Sequence, residues 1–516
     1  ELEPLNFHEC ILNSIHGKYY LIWYTKDIST NRGIMKQKSL IKNTIFKAIL
    51  SLFNIAIPLI VGPYIVRLLD VKLYGIYNSV FSEFQLFLTF ASFGIYTFGV
   101  REISKIRDDN KAVSKLFTNL FVITVITNLI VLGIYIAYSC FVSTGITRSI
   151  YLVMVIQIIG NIFYIEFTNE ALENYKFITI KTAIVKIFYL IALFVFVKKA
   201  DDIIIYSIII SLTVFANNIV SFIYVKRRIK FDFSELKFKK HLISMFYILI
   251  ITNVELLYGQ LDRVMLGKYI NGVQVTSYYI PYFIVSTLAA IPYSLIMVSI
   301  PRLSYMVKNA SKHEYTQMLN KIISSLLFLI IPMCFGVFVL SKEIILLYAG
   351  NKYAEIYPAL MIASMARIIT TLESVMTHLV MYPNGKERKV AVFCCMYGIL
   401  NLLSNGALIY SGIFEYKTAM LTTAIADMLF TITELIYARY SLDIKIKIIT
   451  KATIKYLILS VMFIPVAFII KSVNMNLPAH TILVVLSCAM LYTGGLVIFH
   501  DENLIECLKK IKMKIG

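Results

Sequence analysis

Among the ionisable side chains inside long apolar runs of this 516-residue chain, seven are candidates for function: Glu83, Lys186, Glu255, Arg367, Glu373, Asp427 and Glu434. Four more, Arg67, Asp262, Arg263 and Arg302, lie where such runs end. A charge within a bilayer is expensive unless it faces water or a partner. Each therefore marks a wet cavity or an ion pair inside the protein; a cation can also reach back to the interface. Lys186 and Arg367 are the deepest cations and the first candidates for a cavity. Arg67, Arg263 and Arg302 fit loop anchoring as well as binding. Glu255 and Asp262 are seven residues apart and share one helix face, a spacing that Asp427 and Glu434 repeat. Carboxylates lining a cavity can hold protons or sodium, or pair with the cations. Glu83, Glu255 and Asp427 are placed for that. Asp262 and Glu434 fall near run ends, where solvation is expected. Glu373 follows Arg367 by six residues, a poor same-face spacing, so its partner is expected on another helix. His378 stands alone and is expected to be packed or hydrogen-bonded, with no metal site implied.

The elements that must position these groups are apolar stretches of about 20 residues, the length of a membrane-crossing helix. They predict fourteen spans near 44–66, 76–100, 116–139, 149–168, 177–197, 203–225, 243–261, 276–300, 318–340, 357–381, 390–411, 418–438, 456–470 and 479–498. The chain is 59% hydrophobic with a mean hydropathy of +0.75. Alternate gaps hold 33 Lys and Arg on one side and 11 on the other. Positive charge marks the cytoplasmic side, so both termini are expected there. The net charge of +20 is spread over many short loops, which fits orientation and not nucleic-acid binding. The seven cysteines show no CxxC or Cys/His spacing, and most sit in apolar runs. Pro58, Pro63, Pro281, Pro292 and Pro332 fall within spans and are expected to kink them. Residues 1–34 lack a sustained helical pattern, and Met35 opens a basic lead-in, so 1–34 reads as an extension.

The halves share a weak repeat. Arg67-Leu68-Leu69-Asp70, Tyr74-Gly75-Ile76-Tyr77 and Arg101-Glu102-Ile103-Ser104 are echoed by Asp262-Arg263-Val264-Met265-Leu266-Gly267, Tyr278-Tyr279 and Pro301-Arg302-Leu303-Ser304. Parallel repeats of this kind occur in secondary transporters. The expected plan is a six-helix bundle over 35–225, a cytoplasmic linker at 226–242, a second bundle over 243–438, and helices thirteen and fourteen with a tail over 439–516.

The lead-in Lys38-Ser39-Leu40-Ile41-Lys42-Asn43, the Gly62-Pro63-Tyr64 break, Arg67-Leu68-Leu69-Asp70 and Tyr74-Gly75-Ile76-Tyr77-Asn78 resemble the start of Wzx-type polysaccharide-export flippases. Gln260-Leu261-Asp262-Arg263-Val264-Met265-Leu266-Gly267 is similar to that family's LDxxMLG stretch. The resemblance covers about 35–500 and places the chain in the multidrug/oligosaccharidyl-lipid/polysaccharide superfamily, with an all-α, MATE-like membrane fold. It implies a bacterial cytoplasmic-membrane flippase that moves undecaprenyl-diphosphate-linked repeat units for O-antigen or capsule by alternating access. It also implies a proton or sodium counter-ion and, as partners, a polymerase and a chain-length regulator. No cofactor is implied. On that reading the cations meet a diphosphate, for which the Arg fork is suited, and Tyr278, Tyr279 and Tyr282 can stack on sugar rings. The rivals are a peptidoglycan-precursor flippase and a cation-coupled multidrug exporter. Exporters of this superfamily carry deep carboxylates in the first helix, where this chain has none between Lys47 and Arg67. A membrane enzyme is disfavoured: the outward gaps hold only about 5 to 16 residues, without a carboxylate–Arg–His cluster, phosphate loop or nucleophile elbow.

Overall fold

The computed structural model describes residues 56–236, 238–472 and 475–505, together with Phe46, Leu50, Phe53 and Asn54. The segment 1–34, read from sequence as an extension, lies outside the described residues. Helices come in the order α1 (Ala56–Leu68), α2 (Val71–Ser92), α3 (Ile95–Ile106), α4 (Asn110–Val142), α5 (Gly145–Ile162), α6 (Glu166–Ala171), α7 (Tyr175–Phe196), α8 (Ile203–Lys226) and α9 (Phe238–Tyr269). They continue with α10 (Gly272–Leu288), α11 (Ala290–Asn309), α12 (Lys312–Val339), α13 (Ser341–Ala349), α14 (Tyr357–Val375), α15 (Glu387–Tyr410), α16 (Tyr416–Tyr440), α17 (Lys451–Val461), α18 (Phe463–Lys471) and α19 (Leu477–Ile498). Among the described residues there is no strand. Ten helical segments among the described residues are long and apolar enough to cross a membrane, and eleven if the bent pair α10–α11 is one span.

Contacts divide the chain into two compact units, Asn13–Thr276 and Ser277–Gly516. Helix starts are set by local chemistry. Asp70 caps α2 by accepting from the Leu73 amide at 3.0 Å, and Asp109 caps α4. In the α7–α8 turn the amides of Lys198 and Lys199 donate to Asp202, which holds its carboxyl below the usual aspartate range.

In the N-terminal unit, two predicted spans are broken. The second, expected to run unbroken over 76–100, begins at Val71 and stops where Phe93 and Gly94 take left-handed φ of 46° and 70°. The short α3 that follows is amphipathic, burying Ile95, Phe98 and Ile103 while Arg101 and Lys105 are exposed. The fourth span breaks between Ile162 and Glu166. Backbone carbonyls freed at such breaks need donors inside a bilayer. Asn128 donates to the Ala91 carbonyl at 3.1 Å, and Asn218 to the Gly160 carbonyl at 3.1 Å.

Helices α2 and α9 pack very closely. A Cβ on Gly267 would lie 1.9 Å from the Ser79 hydroxyl oxygen, and at the start of α10 the Gly272 carbonyl oxygen would lie 1.6 Å from a Cβ on Gly75 of α2. Small residues permit this approach, as membrane helix pairs commonly require.

The C-terminal unit is organised around α12. Its Leu319, Ile322, Ile323, Leu326 and Ile330 are buried in one cluster with Tyr456 of α17, Phe463 of α18, and Val484 and Tyr492 of α19. Pro332 lies inside α12, which continues as one helix to Val339. The predicted eighth span bends by 53° where α10 ends and α11 begins, close to Pro292.

Candidate functional site

Arg367 is the deepest cation of the C-terminal unit. It lies on α14, which faces α16 and α10 across a small cleft of about 60 Å³. Tyr278, Tyr282, Arg367, Thr370, Thr423 and Asp427 line it. One guanidinium nitrogen donates to Thr370 Oγ1 at 3.4 Å, and the Nε hydrogen is buried without an acceptor. Among the described residues Arg367 has no carboxylate ion-pair partner. Glu373 does not supply one, although it is buried on the same helix. The structure does bring Arg367 and Asp427 to the same cleft. The rings of Tyr278 and Tyr282 lie 6.2 Å apart at 24° and form one wall. Tyr279 stacks on Phe283 instead. A cation with spare donor capacity beside aromatic faces suits an anion joined to a ring-bearing group.

Glu434 departs from expectation. It is fully buried, and Thr377 donates to its Oε1 at 2.9 Å. The cause is the neighbouring segment Met376–Met381, a π-helical turn that presents Thr377 to α16. His378 in that turn is hydrogen-bonded with Tyr293 at 3.3 Å and packed against Tyr382. Arg302 is half-buried on α11 beside Pro301.

In the N-terminal unit Lys186 projects from α7, with Asn54 accepting its ammonium proton at 2.6 Å. No carboxylate pairs with it among the described residues. Glu83 on α2 is 9% exposed. Tyr138 of α4 and Tyr151 of α5 both donate to its Oε2, at 2.6 and 2.5 Å. The rings of Tyr135 and Phe87 pack beside these phenols. Arg67 is exposed at the end of α1, beside Pro63, Tyr64 and Leu68. Tyr64 anchors that end by donating to the Val197 carbonyl at 2.6 Å.

Asp262 and Arg263 correct the expectation of solvated or loop-anchoring groups, being only 3% and 6% exposed. Hydropathy ended the seventh span at 261, whereas α9 continues to Tyr269 and packs this stretch on α2. Arg263 donates to Gln260. Glu255 lies on α9, and its side chain is outside the described residues.

One charged centre escaped the sequence reading. Lys181 donates to Glu166 Oε1 at 2.8 Å and to Ser221 at 2.7 Å, and Ser221 donates to Glu166 Oε2 at 2.5 Å. The lysine side chain is 2% exposed. The pair joins α6, α7 and α8. Both charges lie near the ends of predicted spans, Glu166 in 149–168 and Lys181 in 177–197, where the sequence reading expects solvation. Among the described residues no cluster of His, Cys, Asp and Glu could hold a metal ion.

With ten or eleven segments long and apolar enough to cross a membrane among the described residues, and buried charges in both units, the chain is a multi-pass membrane protein. Its fold is similar to that of the lipid II flippase MurJ in an inward closed conformation, with a TM-score of 0.69 at 16% identity over 89% of this chain and 99% of that one. It is also similar to an inward-facing multidrug resistance MATE family transporter of the MOP superfamily, with a TM-score of 0.52 at 10% identity, covering 75% and 98%. No curated protein sequence matches. The profile described as "Polysaccharide biosynthesis protein" matches residues 40–307, more than half of the chain, and the chain belongs to that family.

Proposed function

We propose that this protein is a flippase that carries undecaprenyl-diphosphate-linked oligosaccharide repeat units across the bacterial cytoplasmic membrane for O-antigen or capsule assembly. The observation that carries the reading is Arg367, whose guanidinium enters a tyrosine-lined cleft without a carboxylate ion-pair partner among the described residues. A diphosphate needs such a cation while it is out of water, and a glycan has faces that stack on tyrosine. Family membership and the MurJ-like fold support the same reading. Lys186, Arg67, Arg263 and Arg302 are assigned as further cations along the route. Glu83, Glu255, Asp262 and Asp427 are the groups through which protons or sodium would drive alternating access. Residues 35–225 and 243–438 are assigned to two six-helix bundles joined by 226–242, and 439–516 to the last two helices and tail. Both termini are placed in the cytoplasm. A polymerase and a chain-length regulator are the expected downstream partners.

The test is deletion of the gene followed by complementation. Loss of surface polysaccharide should accompany build-up of lipid-linked repeat units in the cytoplasmic leaflet. The wild type should reverse both. Arg367→Ala, expressed to the same level, should lower flipping roughly 10- to 100-fold, as expected for a lost charge-assisted contact. Arg367→Lys should restore only part, because an ammonium lacks the fork. Intact polysaccharide with altered drug sensitivity would overturn the reading in favour of an exporter. A second reading, a peptidoglycan-precursor flippase, is favoured by the fold shared with MurJ. Rescue of cells depleted of their lipid II flippase would establish it.

A further inference from the structure

We propose that the segment leaving α8 is a docking site for the head groups of anionic phospholipids. Lys226 ends a helix long and apolar enough to cross a membrane, and Arg227, Arg228 and Lys230 follow it. Two of them are fixed on aromatic faces. Arg228 lies 4.0 Å above the Tyr224 ring, whose plane is stacked 3.5 Å from Phe177 of α7 at 7°. Lys226 lies 3.7 Å above Phe231, which is stacked on Phe117 of α4. Arg227 and Lys230 are exposed. The chain after them is held to α4, with the Asp232 amide donating to Thr118 at 2.8 Å and Asn119 donating to the Glu235 carbonyl at 2.8 Å.

The carboxylates of this region are engaged elsewhere. Glu173 pairs with Arg107 at 2.6 Å, Glu235 with Lys115 at 3.4 Å, and Glu166 with Lys181 at 2.8 Å. Asp232 accepts from the Ser234 amide at 3.0 Å. Among the described residues none of the four cations has an ion-pair partner. They form an ordered positive patch at the level where a span leaves the bilayer. Phosphodiester head groups of anionic lipids meet such a patch at that depth. The apolar contribution points to a lipid and not to a soluble anion. Phe233 and Leu236, in the same segment, are 59% and 44% exposed, as expected for side chains that enter the headgroup–acyl boundary.

The full chain, purified in a neutral detergent, is titrated with phosphatidylglycerol or phosphatidylcholine, and bound lipid is counted by native mass spectrometry. Phosphatidylglycerol should be retained selectively. Its affinity should fall roughly fivefold for each of Lys226, Arg227, Arg228 and Lys230 changed to Gln. Arg228→Lys should keep most of it, and Phe233→Ser should weaken it while leaving the charge in place. An anionic-lipid preference unchanged in the quadruple variant would overturn the proposal. So would displacement of the lipid by millimolar inorganic phosphate together with indifference to Phe233→Ser, which would define a site for a free phosphate. Should the quadruple variant fail to fold, Arg227→Gln and Lys230→Gln, both exposed, test the same point singly. The proposal stands apart from the transport reading, and none of these outcomes depends on flipping.

Discussion

An ammonium removed from water needs a counter-charge and enough acceptors to replace its hydration. Lys181 has both in Glu166 and Ser221, and the triad closes on itself through the Ser221–Glu166 hydrogen bond. Removing one partner leaves the other charge buried alone, at a cost of about 3–5 kcal/mol. Lys181→Met and Glu166→Leu should therefore each lower the melting temperature in detergent strongly. The double variant Lys181→Met/Glu166→Leu should lose less than either single change, because no orphan charge remains. Additive losses would show that the two groups are not energetically coupled. The contrast with Arg367 and Lys186 is instructive. All three are cations on apolar helices, and sequence distinguished them only by depth. Depth found the two without carboxylate partners and missed the paired one, since Lys181 sits near the start of its predicted span. Nor could hydropathy show that Asp262 and Glu434 are buried. It locates the apolar stretch, not the helix that outlasts it or the π turn that covers it.

At the level of elements, the motifs that carry the family resemblance prove to hold packing contacts. Gly75 of the Tyr-Gly-Ile-Tyr stretch brings the backbone of α2 against the start of α10 at Gly272, and Gly267 of the LDxxMLG stretch lets α9 close on the Ser79 side chain of α2. Gly267→Ala would place a methyl group 1.9 Å from the Ser79 hydroxyl oxygen, so it should reduce the yield of folded protein and the melting temperature. Ser79→Gly removes the atoms it strikes and should rescue Gly267→Ala. Gly133→Ala meets nothing within 4 Å and should be neutral or slightly stabilising, as helical Gly→Ala changes usually are. Thermal unfolding of the four proteins checks this. Failure of Ser79→Gly to restore stability would locate the fault outside the α2–α9 contact. The same scale shows what periodicity leaves out. The break at Phe93–Gly94 interrupts an apolar run without changing its composition, and only Gly94 hints at it. The side chains that satisfy such breaks, Asn128 and Asn218, are neutral and so escape a search for charges within spans.

Across the whole molecule, orientation rests on the imbalance of 33 against 11 Lys and Arg between alternate gaps. Although the second and fourth spans are each broken in two, the fragments α3 and α6 are 12 and 6 residues long, too short to cross a bilayer at 1.5 Å per residue. Neither break therefore reverses the sides of the gaps that follow. Lys471 donates to the Val339 carbonyl at 2.9 Å and pairs with Glu343, so a lysine on the poor side is tied up within the protein. On the rich side, Lys386, Arg388 and Lys389 cluster between the tenth and eleventh predicted spans. Single cysteines placed in 382–389 should thus resist a membrane-impermeant maleimide in intact cells and react after permeabilisation. Those placed in 341–356 should react in intact cells. The decisive pair flanks 357–381, since this span carries Arg367. Equal labelling at both of its ends would mean that the segment enters and leaves on one side. Arg367 would then sit in a re-entrant loop, and a route through the membrane past it would be excluded.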